Sequence, residues 1–428
     1  MSIPDQVTYN THIYTGGGKG ATDNKMVPTT TDTRQIYGYF WLFGLINNVL
    51  YVVILSAAID IVGPSVPKSV VLLADILPCL IVKVTAPFYI HRIRYAHRII
   101  LLILFSITGM VLVAIGNVGL SLFGAVLASF SSGLGEVTFL QLTHMFKKEA
   151  LNGWSSGTGG AGLVGSFVYM LMTTILKVPI TVSLLLFTLP PFGFLLYFKL
   201  GGFQYESVHD GEIESNDQTL EQRGKPNDFG SIDARVLMNH FQDTLQKLRP
   251  LVIPYMLPLS TVYLFEYLIN QTVAPTLLFP IDEASSGHFG FHRYRDIYVT
   301  YGTLYQIGVF ISRSTGSIMR IRKLFFLSIL QCLNFCILVV QSWNYIVKRP
   351  WPILTLVLYE GLIGGSTYVN TFLNILDDTD PNLTEFALGS VSMADSIGTF
   401  ISALIGLKLE PTLCAHQVAD GRPWCTME

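Results

Sequence analysis

Charge is scarce in this sequence. Asp, Glu, Lys and Arg make up 13% of its 428 residues and hydrophobic residues 50%, against roughly 25% charged in an average soluble domain. That balance places the chain among polytopic membrane proteins. Its formal net charge is −2, without the basic patch that marks a nucleic-acid binder, so no nucleic-acid partner is expected. Enzyme signatures are scarce as well: the sequence has no HExxH and no CxxC. Its nine histidines are scattered through tails and loops, apart from His144. No enzymatic activity, metal site or cofactor is expected. The first 36 residues hold no apolar run of the signal-peptide kind, so insertion is expected to begin at the first spanning helix. Of the five cysteines, Cys79, Cys332 and Cys336 fall in apolar segments and read as small buried hydrophobes. Cys414 and Cys425 allow one disulfide, provided that the tail is not cytosolic.

What the chain has instead is long apolar runs. A spanning helix takes about 20 mainly apolar residues. Windows of that length predict about eleven spans: 37–58, 70–90, 99–116, 118–140, 158–177, 180–199, 250–275, 297–314, 324–343, 352–372 and 387–408. The fold class is therefore an all-α polytopic membrane protein. Pro190-Pro191 should kink the sixth span. The expected organisation is a polar cytosolic tail (1–36), a first bundle (37–199), a cytosolic linker (200–248), a second bundle (249–408) and a C-terminal tail (409–428). Short basic loops set the orientation. His91-Arg92-Ile93-Arg94 with Arg98, Lys147-Lys148, and Arg320, Arg322 and Lys323 all fall on one side, assigned as cytosolic; Lys348-Arg349 is the exception. An odd span count puts the C-terminal tail on the far side, and a missed half-helix near 361–376 would reverse that.

The two halves resemble each other. LINN (45–48) matches LINQ (268–271), and HRIR (91–94) matches MRIR (319–322). Gly135, Thr138, Phe139 and Gln141 align with Gly364, Thr367, Tyr368 and Asn370, and SSGTGGAGLVG (155–165) with SIGTFISALIG (396–406). Six spans separate each pair, as in the parallel repeat of major-facilitator transporters, whose substrate sits near the midplane between the halves. The second half lacks a twelfth span.

Polar residues at membrane depth are the site candidates. Asn47, Asn48, Asn270 and Gln271 offer donors and acceptors without a charge penalty; Asn370 joins them as a substrate-binding candidate. Interhelical glue is the competing role. The charged candidates are Asp60, Asp75, Lys83, Glu136, Glu266, Arg313, Glu360 and Asp395. Lys83 and Arg313 occupy repeat positions equivalent to within about one helical turn and would present two cations to an anionic solute. Snorkelling to the interface competes, more strongly for Arg313 than for Lys83. Glu136 and Glu266 would pair with these cations or carry a proton. Gly365 stands where the first half has Glu136, so shared packing explains the glycines and leaves the carboxylate to function. The run 157–162 lacks GxxxxGK[ST], which excludes a P-loop. Gly135, Gly157, Gly160 and Gly364, with Asp395, are instead assigned to helix packing or gating.

LINN (45–48), VLLADILP (71–78), ASFSSGLGEVTFL (128–140), WSSGTGGAGL (154–163), FEYLINQ (265–271), GVFISRS (308–314), LYEGLIGGSTYVNTF (358–372) and EFALGSVSMADSIG (385–398) together resemble the battenin family, in order, over nearly the whole membrane part. The resemblance implies a multi-pass protein of the late endosomal and lysosomal membrane with a major-facilitator-like fold. It implies a link to glycerophosphodiester clearance, and further links to lysosomal pH and basic amino acids. The expected function is export of small polar, anionic solutes by alternating access. The alternatives are transport of basic amino acids facing Glu136, Glu266 and Glu360, or a scaffold regulating lysosomal pH and traffic. The expected partners are membrane lipid, the solute and sorting adaptors on the linker. Tyr205 to Val208 fits a tyrosine-type sorting pattern, and Asp233 with Leu237 an approximate acidic dileucine. The chain departs from vertebrate battenins at Met-Ser-Ile-Pro and Cys425-Thr-Met-Glu, which do not fit acylation or prenylation signals. Asn382-Leu-Thr384 fits a glycan acceptor but falls on the cytosolic side of the expected topology.

Overall fold

The computed structural model describes residues 30–57, 68–115, 117–200, 234–280, 294–316 and 318–426. Every regular element among them is helical. The first half holds α1 (Thr30–Ser56), α2 (Lys68–Tyr89), α3 (Tyr95–Ala114), α4 (Val118–Met170), α5 (Ile180–Leu186) and α6 (Tyr197–Leu200). The second holds α7 (Ala234–Leu251), α8 (Leu257–Leu268), α9 (Tyr294–Ser314), α10 (Leu324–Asn344), α11 (Pro350–Asp378), α12 (Pro381–Val391) and α13 (Met393–Ala419). Seven helical stretches among the described residues are long and apolar enough to cross a membrane. The second, eighth and tenth predicted spans fall on α2, α9 and α11.

The stretch Val118–Thr173 is 56 residues long, far more than one crossing requires. Its backbone leaves helical geometry at Lys147 (φ 58°, ψ −143°). Contacts with α1 show that the chain turns back there. Along the first arm, Asn47 reaches Ser132, Phe43 stacks on Phe139 and Phe40 packs on Phe146, an antiparallel register. Along the second, Gly153 closes on Tyr37, Gly157 on Trp41 and Gly165 on Val49 and Val52, a parallel one. The interval expected between the fourth and fifth spans is thus almost all helix. Gln141, Thr143, Trp154, Ser155 and Ser156 are buried in it, which is why their polarity misleads a window average.

The expected kink at Pro190-Pro191 is present, and two other boundaries differ from expectation. A 3-10 turn, Pro190–Leu196, breaks the sixth span, as two ring nitrogens without N–H require. The eleventh span is two helices meeting at Ser392, and helix α13 takes in half of the expected tail, where Cys414 and Cys425 are disulfide-bonded. The last part of the expected linker is α7, whose Phe241 stacks on Phe88; Leu237 lies on that helix. Asp60, Tyr205, Val208 and Asp233 lie outside the described residues.

The basic loops share one end of the molecule. Lys148 and Arg320 both hold Asp377, at 2.8 and 2.6 Å, and Arg322 holds Asp378 at 3.0 Å. Partial burial works against charge on Asp377, but the hydrogen bonds and charges of Lys148 and Arg320 outweigh it and keep this carboxyl below the usual range. The tail packs at the other end, about 30 Å away along α10, where Gln417 donates to the Thr276 and Ser342 carbonyls and Trp424 meets Tyr345.

The glycine run separates into two faces. Gly153, Gly157 and Gly165 admit α1, whereas Gly159, Gly160 and Gly162 face Arg313, Phe310 and Gln306 of α9 in the other half. A Cβ at Gly157 would press into the Trp41 carbonyl, while at Gly160 the nearest atoms are the Phe310 ring at 3.4 Å. Gly157→Ala is therefore expected to cost about 1–3 kcal/mol and Gly160→Ala little. Thermal melts of the two purified variants check the contrast.

Candidate functional site

Close approach of α2 to α4 builds the first part of the site. Gly133 lies against the Cys79 backbone, and the Ser129 hydroxyl bonds to the Asp75 carbonyl. One turn further along both helices, Lys83 meets Glu136. Its Nζ lies 2.7 Å from Glu136 Oε2 and 2.9 and 3.1 Å from the two oxygens of Asp395 on α13. Ser396 Oγ donates to Asp395 Oδ1 at 2.8 Å. All three charged groups are buried. This ion triad joins the two halves, with Lys83 and Glu136 from the first and Asp395 from the second. With every member ionised, its formal charge is −1.

The second half builds its part in the same way. Gly361 and Gly365 of α11 take the Tyr305 carbonyl and the Ser312 hydroxyl of α9. That contact sets Arg313, next to Ser312, over the Tyr368 ring at 4.0 Å. Arg313 donates to Thr158 Oγ1 of α4 and to Tyr263 OH of α8, each at 2.8 Å. Its Nε has no partner, and the side chain is half-buried. The guanidinium therefore points inward, between the halves, and its hydrogen-bond partners among the described residues are neutral. Tyr368 connects the two parts: its hydroxyl donates to Glu136 Oε1 at 3.0 Å and accepts from Trp154 Nε1 at 3.0 Å.

The two cations thus have opposite surroundings. Lys83 is saturated by carboxylates and is a structural tie across the interface. Arg313 is offered hydroxyls and a ring, which an incoming anion can replace without breaking an ion pair. Fork-shaped donors on a planar guanidinium match a phosphate bidentately.

The amides are used within their own halves. Asn47 Nδ2 bonds to the Ser132 carbonyl at 3.1 Å and to Asn48 Oδ1 at 3.4 Å, and its side chain rests on Gly135. Asn270 Nδ2 bonds to Glu360 Oε1 at 2.8 Å and to the Glu266 carbonyl at 3.2 Å. Glu266 rests on Gly364 and accepts a hydrogen bond from Tyr305. Asn48 and Gln271 are half-buried. Asn370 lies apart from this group. Its Oδ1 accepts from the Ile321 N–H at 2.8 Å and its Nδ2 donates to the Met319 and Ser366 carbonyls, so it fastens the basic loop after α9. Its repeat mate Gln141 does the same in the first half, accepting at 2.8 Å from Arg98, whose guanidinium also binds the Ile90 and Ile93 carbonyls.

Sequence reasoning did not single out Thr158, Trp154, Tyr263, Tyr305 or Tyr368. One signal was present: Tyr368 aligns with Phe139, so the second half gains a hydroxyl at a position the first half leaves apolar.

The CLN3 protein family model matches residues 38–416. Protein BTN1 of Saccharomyces cerevisiae is 58% identical over 407 residues, covering 92% of this chain and 99% of that protein. Protein BTN1 of Candida glabrata is 57% identical over 410 residues, with 92% and 99% covered. Among solved structures, the chain resembles the Escherichia coli fucose:proton symporter FucP, with TM-score 0.56 and 15% identity, covering 92% of this chain and 94% of that one. It also resembles the major facilitator superfamily proton:xylose symporter XylE, with TM-score 0.55 and 12% identity, covering 92% and 91%. At such identities these likenesses bear on the fold alone: two bundles of the major-facilitator type.

Proposed function

The chain belongs to the CLN3 protein family, and from that premise we propose that it is a transporter of the lysosomal or late endosomal membrane that exports small anionic polar solutes, foremost glycerophosphodiesters, to the cytosol by alternating access. The observation that carries this reading is Arg313, a cation between the halves whose hydrogen-bond partners, Thr158 and Tyr263, are both neutral.

A phosphodiester entering between the bundles would take the Arg313 fork in place of the Thr158 and Tyr263 hydroxyls. The Tyr368 ring would keep the guanidinium plane oriented. Asn48 and Gln271 would serve the solute's hydroxyls, both being half-buried, whereas Asn270 is engaged by Glu360 and the Glu266 carbonyl. Rocking of the bundles must break the Lys83–Asp395 tie and the Arg313–Thr158 bond, because each crosses the interface. Loss of the second on solute binding would couple occupancy to movement. Tyr205 and Val208, with Asp233 and Leu237, would supply adaptor contacts for delivery to the lysosome.

Counterflow into proteoliposomes preloaded with glycerophosphoinositol tests this. Labelled glycerophosphoinositol should accumulate, and external arginine should not compete with it. A second reading, basic amino acid transport, is favoured by the excess negative charge of the Lys83–Glu136–Asp395 triad. Accumulation of arginine without glycerophosphoinositol would establish that reading and overturn ours. Deleting residues 201–233 should leave flux intact, whereas a scaffold would lose its function.

A further inference from the structure

Glu266 and Glu360 are used by neither the Arg313 site nor the ion triad, although they are 2% and 0% exposed. They lie on α8 and α11, joined through Asn270, which bonds to the Glu266 carbonyl and to Glu360 Oε1. Oε1 of Glu266 takes the Tyr305 hydroxyl, and its Oε2 faces Gly364, one turn beyond Glu360 on α11. Oε2 of Glu266 and Oε2 of Glu360 are both buried without a hydrogen-bond partner. The backbone widens here into a π-helical turn, Ile269–Val273, a feature frequent at functional sites.

Two ionised carboxylates with two bare, dehydrated oxygens would cost several kcal/mol. A single proton removes one charge and supplies a donor where one is missing. A metal ion fits poorly, because hard cations require about six oxygen ligands and no group of three or more acidic, His or Cys ligands exists among the described residues. We propose that Glu266 and Glu360 form a proton-binding site of the second bundle, separate from the solute site and linked to it through Arg313.

The surroundings fit that link. The charged and titratable groups around the pair are Tyr305 and Arg313 of α9, Tyr263 and Tyr267 of α8, Asp395 of α13 and, through Tyr267, Tyr51 of α1. On α10, the amide Asn334 bonds to the Leu356 carbonyl, one turn before Glu360 on α11. Among the described residues, Arg313 is therefore the cation facing Glu266, and through Glu266 the pair. A proton on the pair cancels negative charge near Arg313 and strengthens its hold on an anion. The bound anion in turn neutralises Arg313 and favours the proton, since coupling is reciprocal. Proton and anion would enter together from the acidic side. That coupling rests on the proposed transport of an anion; the proton site itself does not.

Infrared difference spectra of the full-length protein in a lipid film, recorded through a pH change without solute, test the site. The carbonyl-stretch band of a protonated carboxylic acid should appear, shift in D2O and lose a component in Glu266→Gln and Glu360→Gln. Glu149→Gln, on the exposed surface, should leave it unchanged. Both site variants keep the side-chain shape, and melts confirm their folding; if one fails to fold, the other still reports. An unchanged band in a folded site variant overturns the proposal, as does a component that vanishes only when sodium is added. Absence of glycerophosphoinositol flux would leave this band untouched, so the two proposals fail separately.

Discussion

Arg313→Ala is expected to reduce glycerophosphoinositol counterflow by about 10- to 150-fold. A hydrogen bond to a charged group is worth roughly 1.5–3 kcal/mol, and each 1.4 kcal/mol is a factor of ten. The loss should appear mainly as a rise in the half-saturating concentration, because the guanidinium meets the solute and not a reacting bond. Arg313→Lys should fall between, retaining the charge but not the two-pronged fork. The variant should stay folded, because the partners it leaves behind, Thr158 and Tyr263, are hydroxyls and the side chain is only half-buried. Wild-type flux in Arg313→Ala would move the anion site elsewhere, with Lys83 as the next candidate.

Lys83→Met is expected to act on stability instead. It leaves Glu136 and Asp395 facing each other, buried and without their shared counter-charge. Removing one partner of a buried ion pair costs about 3–5 kcal/mol, whereas replacing the whole group by neutral residues is often nearly neutral. Lys83→Met alone should therefore lower the melting temperature sharply, and Lys83→Met with Glu136→Gln and Asp395→Asn should restore most of it. Melts in one detergent check this pair of outcomes. A single variant as stable as the wild type would mean that the triad does not hold the halves together.

These two expectations reverse the ranking that the sequence suggests. Lys83 sits two turns from the basic loop and so reads as the cation held for a solute, while Arg313, at the helix end, reads as one that snorkels. The decisive facts are long-range. Lys83 meets Asp395, 312 positions away, and Arg313 meets Thr158, 155 positions away. Hydropathy and spacing carry no information on such pairings. What depends on local pattern was legible: the helical class, the kink at Pro190-Pro191, the shared end of the basic loops and the internal repeat. The repeat even proves physical at Gln141 and Asn370, which fasten equivalent loops. The reversal at Lys147-Lys148 was legible as a basic loop, but its brevity was hidden because both arms continue as helix almost to it, and their buried serines, threonine and glutamine look like a polar interval. The two roles of the glycines were likewise hidden, because Gly157 and Gly160 differ only in which helix each one faces.

The most direct test of the central claim is a structure of the protein in lipid nanodiscs with glycerophosphoinositol. The account predicts phosphate density between the halves within hydrogen-bond distance of the Arg313 guanidinium, with Thr158 displaced and Lys83 still on Glu136. Density on Lys83 with Arg313 still bonded to Thr158 and Tyr263, or on a surface outside the interface, would contradict it.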